Sequence, residues 1–230
     1  MMGALVVLHI LGGSVALLAG AVAGFARKGG RTHGMAGTTF ALSMIALGMT
    51  AAILGPHDVP PQSPIGGLIV VYFVATGWVT ANRRDTGPRL PDVIAFLFIG
   101  FSAIAIAIVA IGQLRAGIVP ESPPPPAVLL AFAGLCMLAA LGDLRWLLRR
   151  TLTPVQRQIR HLWRMSWAFF MATSAFFLGQ QDVMPLAWRG WPGWILPALA
   201  PFALMLWGAV WVHWRNRRLR NAVAHAKRGA

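Results

Sequence analysis

A chain of 230 residues with 57% hydrophobic and only 11% charged residues, and a mean hydropathy of +0.65, falls outside the soluble globular range, where about a quarter of residues are charged. Its formal net charge of +14 would suit a nucleic-acid binder in a soluble chain, but no soluble basic module carries that charge, so nucleic acid is not expected as a partner. The single cysteine, Cys136, excludes an intrachain disulfide framework and any cysteine-based zinc cluster.

A hydrocarbon core of roughly 30 Å is crossed by about 20 helical residues. The first apolar run, 3–25, ends in small residues that resemble a signal-peptide cleavage region, but no positive segment precedes it, so a retained span is expected. A basic connection with Arg27, Lys28 and Arg31 leads to the second run, 35–54. A Pro- and Gly-rich connection then leads to the third, 64–81, which is followed by Arg83, Arg84 and Arg89. The fourth run, 92–114, and the fifth, 126–148, flank a second Pro-rich connection that includes the run 123–126. Arg149, Arg150, Arg157 and Arg160 precede the sixth, 162–178. The seventh, 194–214, contains Pro197 and Pro201, which predict a kink, and it leads into a tail carrying Arg215, Arg217, Arg218, Arg220, Lys227 and Arg228.

Of all the Lys and Arg residues, only Arg115 and Arg189 fall on the alternate, non-basic connections. The positive-inside rule therefore predicts an all-α polytopic bundle of about seven spans, amino terminus outside and carboxyl terminus cytoplasmic. Residues 1–214 form the membrane domain and 215–230 a basic cytoplasmic tail. The lipid bilayer, with anionic headgroups at the basic loops, is the expected surrounding. Trp188, Trp191 and Trp194 mark one interface, and Trp146, Trp163 and Trp214 the other.

Polar residues inside such spans need a reason. Asp143 is the only acid well inside a span, and a carboxylate at a helix centre costs about 2.5–3.5 kcal/mol, so it is expected to pair with Arg164 at the same depth on the next helix. Histidine is the other informative type. His33 and His161 stand at the cytoplasmic starts of the second and sixth spans, as two axial ligands of one haem require, and His213 is a substitute at the end of the seventh. A copper or zinc ion on His33, His161 and His213 is a variant of the same idea. His161, Arg164 and Met165 share one helical face, and Asp143 is placed to orient His161 or to pair with Arg164. His9, in the outer half of the first span, lies most of a bilayer away. Gly20 and Gly24 form a GxxxG pair, read as helix packing.

His9 with Gly13, Ala16, Leu17 and Gly20, followed by Arg31, His33 and Gly37, resembles the opening of the membrane proteins of domain-of-unknown-function family 2306. The runs Gly142 to Arg145, Arg160 to Met165 and Phe176 to Gln180 look like stretches of uncharacterised bacterial relatives of that group. The resemblance implies a bacterial inner-membrane protein and no established activity. A remoter similarity, resting on helical histidine placement, is to cytochrome b561-type bundles, which implies b haem and electron exchange with a quinone or another membrane redox partner.

Three functions follow as alternatives. The first is a quinone-linked electron-transfer protein with one b-type haem on His33 and His161, with Asp143 and Arg164 beside it and His9 as an outlying candidate. The second is a proton-coupled small-solute transporter whose polar path uses Asp143, Arg164, His161 and His9. The third is a non-catalytic scaffold or assembly factor. No nucleophile elbow, phosphate-binding loop or zincin motif is present to suggest a hydrolase.

Overall fold

The computed structural model describes residues 2–57, 63–83, 87–117 and 124–228, with side chains as far as Arg218. The Pro60–Pro61 run, Arg84, most of the 123–126 run's leading connection and the side chains of Arg220, His225, Lys227 and Arg228 lie outside the described residues. Seven long helices occur among the described residues: α1 (Met2–Phe25), α2 (Arg31–Leu54), α3 (Pro64–Asn82), α4 (Leu90–Arg115), α5 (Pro126–Arg149), α6 (Pro154–Ser174) and α7 (Ile195–Arg228). No strand occurs among the described residues.

Local chemistry explains the helix starts. Pro64, Pro126 and Pro154 each open a helix, where a missing N–H costs nothing. Thr153 caps α6: its hydroxyl accepts from the Gln156 N–H, and the Gln156 side chain accepts from the Thr153 N–H. The Asp92 carboxylate accepts from the Arg89 N–H at the start of α4, at 2.7 Å.

Six of the seven helices are long and apolar enough to cross a membrane, and α6 is the exception. Its first half holds Arg157, Arg160, His161 and Arg164, so the expected sixth apolar span is instead an amphipathic helix that starts two turns earlier, at Pro154. The outward surface of the six is what lipid requires: Leu18 is 71% exposed, Phe101 68% and Ile108 65%, far more apolar surface than a water-soluble monomer leaves uncovered. The chain is an integral membrane protein.

Two compact units divide the helices. One contains α4 and α5, paired as a hairpin, with small residues such as Ala103, Ala133 and Ala139 buried. The other contains α1, α2, α6, α7 and almost all of α3. Within it, α1 pairs with α2 and α6 with α7, and α2 crosses α3 so closely that a Cβ added at Gly48 would lie 2.7 Å from the Gly67 carbonyl oxygen. Gly20 and Gly24 serve the helix packing expected of them through side chains of other helices: they make room for the Phe169 ring of α6 and for Leu204 of α7.

Helix α6 is polar on the inside. Arg160, Arg164, Ala168 and Ala172 follow one another at four-residue spacing, and all four are buried. The side chains of α6 meet α3 in antiparallel order, Arg160 at Thr80, His161 at Gly77 and Arg164 at Tyr72. Beyond Ser174 the helix loosens into a π-helical turn, Ala175–Gly179. The Thr173 hydroxyl lies 3.0 Å from the Ala198 carbonyl of α7, beside Pro201, tying the two helices where proline interrupts the backbone ladder.

Candidate functional site: a histidine pair at the basic helix ends

His33 lies in the first turn of α2 and His161 in the second turn of α6. Their ring centres are 6.4 Å apart, with the planes at 84°. His33 Nδ1 donates to the Ala23 carbonyl and His161 Nδ1 to the Gly77 carbonyl, each at 3.0 Å. A carbonyl can only accept, so each Nδ1 carries a proton, and in the neutral tautomer this leaves the lone pair on Nε2. Neither Nε2 has a hydrogen-bond partner among the described residues. Two imidazoles, each oriented by a backbone carbonyl at Nδ1, thus sit close together on separate helices.

The surrounding groups are cationic and aromatic. Arg164 is fully buried; its Nη2 donates to the Tyr72 hydroxyl at 3.0 Å, and its guanidinium lies 5.2 Å from the Tyr72 ring centre and 5.5 Å from that of Trp163. Arg160 Nε donates to the Thr80 hydroxyl at 3.2 Å. Gly77 is the residue that lets α6 come close, since a Cβ there would lie 3.1 Å from the Arg164 Cβ and 3.0 Å from the Met165 sulfur. Lys28, in the connection between α1 and α2, donates to the carbonyls of Ala23 and Gly24 at 2.9 and 2.5 Å. Burial pushes its ammonium below the ordinary lysine pKa.

His213 and His9 fall elsewhere. His213 is exposed and donates to Ala209 of its own helix at 2.9 Å. No group of three or more His, Cys, Asp or Glu residues gathers as a metal site among the described residues, so the set His33, His161 and His213 is not assembled. Asp143 is buried in α5, and the Nδ1 of His161 is oriented by the Gly77 carbonyl. His9 meets the Thr50 hydroxyl on α2 at 3.0 Å. Fourteen residues of α1 separate His9 from Ala23, about 21 Å of helix rise.

Sequence reasoning missed Tyr72, Thr80, Gly77 and Lys28. Tyr72 carried a signal, as the only tyrosine of the chain and a polar-tipped residue inside a span. Lys28 was counted with the loop charges, and nothing in its spacing shows that its ammonium folds back onto α1.

The fold and the site define an all-α integral membrane protein with an anchored histidine pair where its basic connections enter the bundle. Comparison with protein-family models gives no match to this chain, and comparison with curated proteins and with solved structures gives none either.

Proposed function

We propose that this protein holds one b-type haem between His33 and His161 and carries single electrons in the membrane. The observation that carries the reading is the ring separation of 6.4 Å. With metal–imidazole bonds of about 2 Å and about 1.2 Å more from each nitrogen to its ring centre, two imidazoles that share one metal would have their centres no more than about 6.4 Å apart, and this pair meets that limit. Sharing a metal sets no required angle between the ring planes, which is 84° here.

The anchoring supports the same reading. A ligating histidine usually gives its other N–H to a carbonyl or carboxylate, and both Nδ1 atoms here do so. Gly34 and Gly37, beside and one turn beyond His33, would meet nothing within 4 Å if given a Cβ, so this face of α2 is open to a flat ligand. Arg164 acts through packing: by bonding Tyr72 it holds α6 on α3, and so keeps the Gly77 carbonyl on His161. When bound, the haem supplies a one-electron ferric/ferrous couple, and a lipophilic quinone is the partner class found in the same solvent. The charge pattern supports the histidine pair at the cytoplasmic side, and the family resemblance implies a bacterial inner membrane.

Protein purified from haem-supplemented cells should show a reducible b-type absorption band. His33→Ala and His161→Ala should each abolish it. A folded but colourless wild-type protein would overturn the proposal.

A further inference from the structure

Helix α1 ends at Phe25, so the carbonyls of its last turn lack donors from a continuing helix and form the negative end of its dipole. Two of them, Ala23 and Gly24, accept from Lys28, and the Ala23 oxygen also accepts from His33. One oxygen therefore joins an ammonium at 2.9 Å to an imidazole at 3.0 Å. The His161 side is built otherwise. Its acceptor, the Gly77 carbonyl, lies within α3, and no second side chain donates to it among the described residues.

We infer that Lys28 sets the electron affinity of the His33–His161 centre through the Ala23 carbonyl they share; the inference rests on the haem reading above. Two effects act in the same direction. A carbonyl at a helix carboxyl terminus is electron-rich, and a hydrogen bond from Nδ1 to it makes the imidazole a stronger donor, which favours the ferric state. Lys28 draws density from that same oxygen and weakens this push on His33. Its positive charge also favours whichever state of the centre is less positive, which is the ferrous one. Removing the charge therefore lowers the potential by both routes. No atom is transferred to or from Lys28, so the ammonium acts as a fixed charge.

Equilibrium redox titration of the purified holoprotein at pH 7 tests this, with the haem absorption band as the readout. At a fixed ambient potential near the wild-type midpoint, Lys28→Met should reduce the ratio of ferrous to ferric haem at least tenfold, which for one electron is about 59 mV. Lys28→Arg, which keeps the charge, should stay within about threefold of wild type. Arg27→Met, removing an exposed charge one residue away on the same connection, should also stay close to wild type. Should Lys28→Met fail to retain haem, Lys28→Gln keeps a donor for the two carbonyls without the charge and should shift the same way. A haem-loaded Lys28→Met or Lys28→Gln at the wild-type potential overturns the role of Lys28 alone, as does an equal shift in Arg27→Met. Wild-type protein without haem overturns the underlying reading instead.

Discussion

His9 and the pair His33–His161 are both histidines within the helical bundle, and both have a fixed Nδ1, yet they are built for different ends. The Thr50 hydroxyl has one hydrogen, which it directs to the Ala46 and Leu47 carbonyls at 2.8 and 2.9 Å, so it accepts from His9. That contact joins α1 to α2 by side chain to side chain. His33 and His161 instead rest on backbone carbonyls, and each has the other's ring, from a separate helix, with its centre 6.4 Å away. A histidine in a membrane helix is therefore not a ligand by depth or burial alone. What sets His33 and His161 apart is a backbone acceptor behind each ring and a second imidazole with its centre 6.4 Å away, the features on which the haem proposal rests.

The largest effect should come from testing that distinction directly. His33→Ala or His161→Ala should leave protein without haem, whereas His9→Ala should bind a full equivalent, measured by pyridine haemochrome against protein concentration. Equal haem loss in His9→Ala would erase the contrast.

A second test strikes one arm of the pair without touching a ligand. Gly77→Val places a branched side chain against the Arg164 Cβ and the Met165 sulfur, so α6 has to retreat from α3 and carry His161 away from its carbonyl. Overpacking of this kind costs about 3 kcal/mol. Thermal unfolding in detergent should show the loss of stability, and haem should dissociate faster than from wild type. Unchanged haem retention in a clearly destabilised variant would separate helix packing from ligand anchoring.

Tyr72→Phe is milder, since it keeps the ring beneath the Arg164 guanidinium and removes only the hydroxyl that accepts from Nη2. A hydrogen bond to a charged group contributes about 1.5 kcal/mol. A stability loss near that size is expected, with haem still bound and its band shifted or broadened as His161 gains freedom.

How much of this was legible depended on which physical signal carried it. Apolar length and leading prolines placed α3 and α5 closely, because those signals are local. The start of α6 was set eight residues late, at 162 instead of Pro154, because apolar length was sought where the helix turns its arginines inward. The Thr153–Gln156 capping box was in the sequence and would have corrected it. Loop charge used as a depth scale was enough to bring His33 and His161 together, since depth depends only on helix rise. Which carbonyl receives each Nδ1 was not readable, because every residue offers the same carbonyl and only the packing of α1 and α3 selects Ala23 and Gly77. The same limit applies to small residues: Gly20 and Gly24 have the spacing of a helix contact but accommodate side chains, while Gly48 and Gly67 make the close crossing without any motif.

The smallest effect should come from the other member of the comparison. Thr50→Val preserves shape at a buried position and removes the oxygen that accepts from His9. Side-chain hydrogen bonds between membrane helices average about 0.6 kcal/mol, because a polar group separated from its partner in the unfolded state finds others. A drop of that order in unfolding free energy is expected, with haem content and midpoint potential unchanged. The result matters most for what should not move. Thr50 lies near the far end of α2 from His33, with about 25 Å of helix rise between them, so a change of potential on removing one distant hydroxyl would mean that the two histidine sites are coupled along α2. An unchanged potential would leave His9–Thr50 as a clasp between helices and confine the redox centre to the basic end.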